Sequence, residues 1–341
     1  MNKKYLLWLC CWMAPVLLAG QNLTFDPEKK RVLRMPIRLN HNLILIPIQI
    51  NNSDELKFIL DSGIQAAILT ELAMGQELSL TYAREVELRG LGNGERVKAL
   101  QSSGNRFKIG QSITGWHQFM FVMLKDIFQM STKLGERVHG LIGYPVFKSF
   151  VIHVNYHSRW VSFYRPDAFR PPKGNKYIRL PLSIEDTKAY VWARAVQESG
   201  DTVAVKLLLD TGASHALWLN VHDHERLRMP EAGREMFLGR GLNGDIRGQM
   251  GRISTLLLGD FALRDPLVAF PDSASAHEVF AVGERDGALG GEVLRRFDVT
   301  IDYPNQMLYL RPNRYANDPF EYNMSGLEIT NPLPGLPFFE V

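Results

Sequence analysis

An internal duplication constrains the fold of this chain of 341 residues more than any other sequence feature. Two largely apolar runs, Leu56–Leu60 and Val203–Leu209, each lead directly into an acidic triplet. The first triplet is Asp61-Ser62-Gly63, and the second, 149 residues later, is Asp210-Thr211-Gly212. Apolar runs of this length that end at a turn signal predict buried strands. A single triplet would be read as a strand-ending aspartate that caps a turn, whereas two of them indicate a repeated architecture.

Further landmarks recur at nearly the same spacing. Gly140-Leu-Ile-Gly143 returns 147 residues later as Gly287-Ala-Leu-Gly290, and an alternating strand and a polar turn follow each segment. The glycine-rich segments Arg89–Gly94 and Arg240–Gly244 are flanked by short apolar stretches, as the tips of hairpins are. The period is too long for a solenoid, so the two copies predict a pair of lobes related by a pseudo-twofold axis.

Each copy is rich in strand patterns with glycine-punctuated turns, so the predicted fold class is mostly β, in two lobes. Short helices are predicted after each Gly-x-x-Gly segment, and also after Ile68 and after Leu219. The predicted boundaries are a leader at 21–34, an N-terminal lobe at 35–164, a Pro-rich linker at 165–176, a C-terminal lobe at 177–313 and a tail at 314–341.

The first 20 residues read as an export signal. Lys3 and Lys4 precede the apolar run Leu6–Leu18, and the small residues Ala19 and Gly20 follow it. The run is short for a membrane span, and an uncleaved anchor is the alternative. Both cysteines of the chain fall inside this segment, so the mature protein would carry no thiol. Export without disulfides favours a bacterial periplasmic, cell-surface or secreted protein.

The charge balance excludes one class of partner. The net charge is +3, and two of the positive charges belong to the signal segment. No basic field remains to bind nucleic acid. Membrane contact is expected only through an uncleaved signal segment.

A pseudo-twofold pair in which each half supplies one aspartate brings two carboxylates together at the axis. Two such groups in contact cannot both ionise cheaply, so they share a proton. The ionised partner can take a proton from water while the protonated partner polarises a carbonyl. This chemistry needs no metal, cofactor or nucleophilic side chain.

The two triplets, with Ala213-Ser214 after the second, resemble the active-site motifs of the pepsin/retropepsin-like aspartic proteases. The two Gly-x-x-Gly segments resemble that family's second motif, and the resemblance covers roughly residues 45–310. It implies a two-lobed acid-protease β-barrel fold and an exported endopeptidase that cleaves a peptide or protein substrate. Asp61 and Asp210 would be the catalytic dyad, and no cofactor is implied.

The resemblance also implies supporting roles. The residues that support the catalytic loops would be Ser62, Gly63, Thr211, Gly212 and Ser214. Flaps over the substrate would be formed by Leu91, Gly92, Asn93 and Gly94 and by Leu242, Asn243 and Gly244. Two lobes in one chain would make the functional unit a monomer.

One position departs from the family pattern. Ile64 follows Gly63, where the second copy has Ala213. A bulky side chain there would crowd the first loop, or would add apolar surroundings that raise the pKa of the dyad. The alternative function is therefore a peptide-binding protein of the same fold that has lost turnover.

Two other segments of the sequence each allow two interpretations. His222, His224 and Glu225 could suggest a metal cluster, but a solvated helix or turn is favoured and no metal is expected. In the tail, Ser325–Ile329 and Gly335–Val341 resemble the opening strands of a PDZ domain. The tail is either the start of such a domain or an edge strand of the second lobe.

Overall fold

The computed structural model describes residues 22–71, 78–80, 83–88, 97–222, 224–241, 244–275, 284–321, 330–331 and 334. Strands make up 52% and helices 6%, which confirms the prediction of a mostly β fold. The signal segment and most of the tail lie outside the described residues. Among the helices that are described, none has the length and apolar character needed to cross a bilayer.

The strands, in chain order, are β1 (Leu23–Phe25), β2 (Val32–Pro36), β3 (Arg38–Asn40), β4 (Leu43–Ile50), β5 (Leu56–Leu60), β6 (Ala67–Leu69), β7 (Ala83–Leu88), β8 (Val97–Ile109), β9 (Ile113–Met123), β10 (Gly140–Ile142), β11 (Val151–Asn155), β12 (Trp160–Tyr164), β13 (Ile178–Glu185), β14 (Lys188–Val196), β15 (Thr202–Leu209), β16 (Leu217–Leu219), β17 (Arg234–Gly241), β18 (Gly244–Arg252), β19 (Thr255–Leu258), β20 (Phe261–Arg264), β21 (Leu267–Pro271), β22 (Gly287–Leu289), β23 (Phe297–Asp302) and β24 (Met307–Pro312). Short helices span Met130–Leu134, Tyr144–Phe147 and Gly291–Leu294.

Six strands of the first copy close into a barrel in the order β9-β6-β10-β5-β4-β8, because β8 also pairs with β9. Apolar side chains such as Phe58, Ile46 and Phe107 fill its interior and are essentially inaccessible to solvent. Closure leaves no free strand edge around the ring, which protects the barrel against pairing with other chains.

The second copy repeats this order as β21-β16-β22-β15-β14-β19. The long strands β8 and β9 are each replaced there by two shorter strands, β18 with β19 and β20 with β21. The breaks fall at Ile253-Ser254 and at Asp265-Pro266, and the proline has no amide hydrogen to donate to a ladder.

The registers of the strands beside the two triplets correspond. In the first copy β5 runs parallel to β10, with Ile59 opposite Leu141. In the second copy β15 runs parallel to β22, with Leu208 opposite Ala288. Equal registers place the two acidic triplets at equivalent ends of equivalent strands.

A third sheet contains strands of both copies, in the order β2-β12-β11-β23-β24-β13. At its centre His153 of β11 faces Thr300 of β23, which is its own counterpart in the repeat, and Nδ1 lies 2.9 Å from Oγ1. The pseudo-twofold axis therefore passes between these two residues.

Residues 22–34, which the sequence analysis left outside the lobes, contribute β1 and part of β2. Leu23 and Phe25 are buried as β1 pairs with β9, and β2 pairs with β12. Their alternation of apolar and polar residues is short, which is why the polar composition of the segment concealed it.

The helices predicted after the two Gly-x-x-Gly segments are confirmed at Tyr144–Phe147 and Gly291–Leu294. The helix predicted after Leu219 is wrong for the described residues, because 220–222 and 224–233 form turns and bends. There Nδ1 of His224 accepts from the amides of Arg226 and Leu227, so local side-chain contacts replace helical ones. After Ile68 the strand β6 continues to Leu69, and residues 72–77 lie outside the described part of the chain.

Candidate active site

The two acidic triplets meet between the two copies through a reciprocal set of hydrogen bonds. The amide of Ser62 donates to Oγ1 of Thr211 at 3.0 Å, and the amide of Thr211 donates to Oγ of Ser62 at 3.0 Å. The Thr211 hydroxyl donates to the carbonyl of Leu60 at 2.7 Å, and the Ser62 hydroxyl donates to the carbonyl of Leu209 at 2.5 Å. Both side chains are buried. The two loops are therefore interlocked.

The two glycines place the carboxylates against each other. A Cβ atom added to Gly63 would lie 3.1 Å from Oδ1 of Asp61 and 3.3 Å from Oδ1 of Asp210, so both carboxylates reach the same point. A Cβ atom added to Gly212 would lie 2.1 Å from Cγ of Asp61. Only a residue without a side chain fits in that position.

Each carboxylate is also held by its own loop. The amide of Gly63 donates to Oδ1 of Asp61 at 2.7 Å, and the amide of Gly212 donates to Oδ1 of Asp210 at 3.0 Å. These bonds fix both side chains in the same orientation relative to their strands. The structure thus brings together all six residues of the two predicted triplets.

Burial controls the protonation of the pair. It raises the pKa of Asp61 to about 8, and the charge of Asp210 adds to the increase, while the Gly63 amide and Lys188 oppose it. Burial likewise raises the pKa of Asp210, against the opposing charge of Arg285. For both carboxyl groups, therefore, the environment favours the protonated form.

The Gly-x-x-Gly segments brace the loops from behind. The amide of Asp61 donates to the carbonyl of Ile142 at 2.8 Å, and the amide of Asp210 donates to the carbonyl of Leu289 at 3.0 Å. A Cβ atom on Gly143 would lie 2.3 Å from the carbonyl oxygen of Asp61. The backbone can approach this closely only because position 143 is glycine.

A hairpin of each copy touches the acidic loop of the other. Nδ2 of Asn42, in the turn between β3 and β4, donates to the carbonyl of Ser214 at 3.2 Å. Nε2 of Gln65 donates at 3.1 Å to the carbonyl of Asp186, in the turn between β13 and β14. Ser214 is thus held through its backbone, while its side chain is exposed.

Sequence reasoning missed the ionic network behind Asn42. Nδ2 of Asn42 also donates to Oε2 of Glu292 at 2.7 Å. Glu292 pairs with Arg295 at 2.8 Å and with the fully buried Arg296 at 2.6 Å. The spacing of Glu292 to these arginines on one helical face is a signal that could have suggested the pairing.

Tyr303 was missed as well. Its hydroxyl donates to the carbonyl of Ser62 at 3.3 Å, and its ring stacks on Phe147 with 5.2 Å between centroids. No local sequence pattern indicates this contact, because Tyr303 and Ser62 belong to different copies of the repeat.

Ile64 lies against apolar side chains. Its side chain packs against an apolar cluster formed by Leu43, Leu45, Ile59, Val138 and Leu141. Ile68 and Trp218 occupy matching positions opposite β10 and β22, and they are 150 residues apart. Asp61 and Asp210 are 149 residues apart, so the first loop is one residue shorter than the second.

The predicted flap residues Leu91, Gly92, Asn93, Gly94, Leu242 and Asn243 lie outside the described residues. Gly244 begins β18 and pairs with Gly241 of β17, so the second hairpin is present up to its tip. Within the described part of the chain, no three His, Cys, Asp or Glu side chains are grouped to hold a metal. Nε2 of His222 instead lies 3.0 Å from the carbonyl of Pro271.

Comparison with protein families gives one match. Residues 196–293 match the family model described as aspartyl protease. This span includes Asp210-Thr211-Gly212 and Gly287–Gly290. A search of curated proteins gives no match. The second copy of the repeat is therefore similar to the aspartyl proteases, and the first copy is joined to it by its register and its interlocked loop.

Proposed function

We propose that this protein is an aspartic endopeptidase that hydrolyses peptide bonds by activating water at an Asp61/Asp210 dyad. The observation that carries the proposal is the meeting of both carboxylates at Gly63, in two interlocked loops of opposite copies. The aspartyl protease match of residues 196–293 supports the same reaction class.

The two carboxylates would divide the acid and base roles. The ionised carboxylate takes a proton from a water molecule, and the water oxygen attacks the carbonyl carbon of the substrate. The protonated carboxyl donates its proton to the carbonyl oxygen. When the C–N bond of the tetrahedral intermediate breaks, the leaving nitrogen receives the proton that came from the water. One hydroxyl of the intermediate returns its proton to the other carboxylate and becomes the carbonyl of the acid product, which restores the shared proton. The positive charge of Arg285 opposes the rise in the pKa of Asp210 that burial causes.

An extended peptide would lie across the axis between the two copies. Its backbone would pair with hairpins such as β17–β18, and alternate side chains would enter pockets on either side. The residues proposed for substrate contact at the hairpin tips are those named above as flaps.

Digestion of a peptide library tests the proposal. We expect the mature protein, from residue 21, to cleave peptides between about pH 3 and 8, and to lose activity on the alkaline side as the pair gives up its shared proton. Asp61→Asn and Asp210→Asn should each abolish cleavage. Undiminished cleavage by either variant would rule out the dyad.

The shorter first loop, with Ile64 turned into the apolar cluster, supports a second candidate: a peptide-binding protein without turnover. In that case the double variant Asp61→Asn/Asp210→Asn would bind peptides as tightly as the wild type, and no peptide would be cleaved by either. Cleavage that one single substitution abolishes would exclude this candidate.

We also propose that residues 1–20 direct export and are removed, leaving a monomeric unit in the periplasm, on the surface or outside a bacterial cell. N-terminal sequencing of the protein recovered from each cell fraction tests this. A mature terminus near residue 21 is expected, and an intact Met1 in the cytoplasmic fraction would contradict it.

A further inference from the structure

In each copy, the residue just before the Gly-x-x-Gly strand is bonded to the strand that leads to the aspartate. In the second copy, Oδ2 of Asp286 accepts from the amide of Lys206 at 2.7 Å, and the amide of Asp286 donates to the Lys206 carbonyl at 2.9 Å. In the first copy, Nδ1 of His139 accepts from the amide of Lys57 at 2.9 Å, and the amide of His139 donates to the Lys57 carbonyl at 2.8 Å. The same pair of bonds is thus made with a histidine in one copy and with an aspartate in the other.

His139 also holds the end of β6. Its carbonyl accepts from the amides of Thr70 at 2.8 Å and Glu71 at 3.2 Å, and the carboxylate of Glu71 accepts from the hydroxyl of Ser131. The strand β5, whose amide His139 binds, runs directly into Asp61. One residue therefore joins the two strands that flank the first acidic loop.

The ring of His139 can make its bond to Lys57 only in the neutral form. Nδ1 accepts from the amide and therefore carries no hydrogen, so the single ring hydrogen is on Nε2. Nε2 is buried and has no hydrogen-bond partner among the described residues. A second proton can therefore be added only at Nδ1, and a protonated Nδ1 would face the Lys57 amide as donor against donor.

The surroundings of His139 oppose a positive charge. The residue is 5% exposed, and burial, together with the charges of Arg137 and Lys57, lowers the pKa of His139 from 6.5 to about 4. The nearby carboxylates are engaged by other groups. Glu136 pairs with Lys57 at 3.1 Å, and Glu71 accepts from the serine hydroxyl named above.

We propose that the bond between His139 and Lys57 is an acid-sensitive lock on the first copy. In acid, Nδ1 of His139 takes up a proton from the solvent, the bond breaks, and β5 loosens beside Asp61. The second copy keeps its bond, because a carboxyl group that has taken up a proton still has an oxygen that accepts, and Asp286 supplies it. The lock does not depend on peptide cleavage. If the proposed function holds, opening of the lock would weaken cleavage at the acid end of the pH range by displacing Asp61.

The sign of the effect on stability follows from the lowered pKa. Between pH 6.5 and about 4, the unfolded chain binds a proton at His139 that the folded chain does not. Stability from this group is therefore complete above pH 6.5 and is lost as the pH falls through that window. The raised pKa of Asp61 acts in the opposite direction, so a comparison of variants is needed to isolate His139.

Urea denaturation at pH 7 and pH 4 tests the lock. His139→Asn offers an oxygen acceptor of the same shape as that of Asp286, and it does not titrate. Between the two pH values, the folding equilibrium constant of the wild type should fall about 10- to 100-fold more than that of His139→Asn. The control is His157→Asn, at an exposed histidine, which should behave as the wild type does. An equal pH dependence of the wild type and His139→Asn would overturn the inference.

Spectra of the wild type test the lock without any variant. The probes are the amide nitrogen signals of Lys57 and Lys206 and the ring nitrogen signals of His139, followed by NMR from pH 7 downwards. We expect the Lys57 amide to shift and to exchange with deuterium faster as the ring gains its proton, while the Lys206 amide stays unchanged. A Lys57 amide that does not respond to protonation of the ring overturns the lock, as does an equal response of both amides. Neither experiment requires turnover, so their outcome is separate from that of the proposed function.

Discussion

The amides of Ser62 and Thr211 each donate to the hydroxyl of the other residue, at 3.0 Å in both directions, across the boundary between the two copies. Thr211→Val keeps the shape of the side chain but leaves the Ser62 amide and the Leu60 carbonyl buried without their partner. We expect a loss of about 2–4 kcal/mol in the free energy of unfolding, measured by urea denaturation. Thr211→Ser retains the hydroxyl and is the control. Equal losses in the two variants would show that the hydroxyl does not stabilise the interlock.

Gly212 and Gly63 should respond differently to the same substitution. In Gly212→Ala the new methyl group would fall 2.1 Å from Cγ of Asp61, so the carboxylate must move. Displacement of a reacting group by about 1 Å costs roughly 100-fold in rate, and we expect at least that loss of kcat/KM. In Gly63→Ala the nearest carboxylate oxygen lies at 3.1 Å, and the loss should be much smaller. Circular dichroism would verify folding, and equal losses would contradict this account.

The raised pKa of Asp61 predicts how stability depends on pH. Above the ordinary value of 3.8 and up to about 8, the folded state holds a proton that the unfolded state has released. Stability from this group is therefore present at low pH and is lost as the pH rises through that window, by up to about 1.4 kcal/mol per pH unit. Asp61→Asn should flatten this part of the profile and stabilise the fold at pH 7. Denaturation curves from pH 4 to 8 measure the difference, and the exposed Asp260→Asn is the control. A parallel shift in both variants would refute the assignment.

Glu292 should be essential for the fold beside the second loop. Arg296 is fully buried and pairs with Glu292 at 2.6 Å, and removing one member of a buried pair leaves an uncompensated charge. We expect Glu292→Gln to cost about 3–5 kcal/mol in the free energy of unfolding. The control is Glu185→Gln, in the more exposed pair with Lys206, for which about 1 kcal/mol or less is expected. A cost below 1 kcal/mol for Glu292→Gln would mean that the carbonyls of Asp318 and Pro319, which also accept from Arg296, are sufficient.

The parts of the site that could be predicted from the sequence are those that occur in both copies of the repeat. Asp61 and Asp210 end matching strands, and matching strands in a twofold arrangement must bring their ends to the axis. The register of Gly140 beside Phe58 is repeated by Gly287 beside Leu207, so the spacing of the motifs was sufficient to place them.

The remaining contacts could not be predicted because the two copies differ there. Asn42 reaches Ser214 and Glu292 across sequence separations of 172 and 250 residues. Lys188 at the start of β14 and Arg285 just before β22 stand at the positions that correspond to Leu43 and Val138 of the first copy, and cations at such positions are ordinarily interpreted as solvent-facing residues. Their position beside the dyad follows from the turn at Asp186 and the pairing of β22, which only the folded chain reveals.

Ile152 in β11 pairs with Ile301 in β23, a strand that is synthesised much later than β11. The first barrel and β12 are complete long before β23 emerges, since roughly 150 residues separate these partners. At ordinary rates of translation that interval lasts roughly 7 to 30 s. During that interval one edge of β11, which contains Ile152 and Val154, is still open. Such an edge can pair with other nascent chains. The central sheet that joins the two copies thus leaves the unfinished protein with an exposed strand edge until β23 has been synthesised.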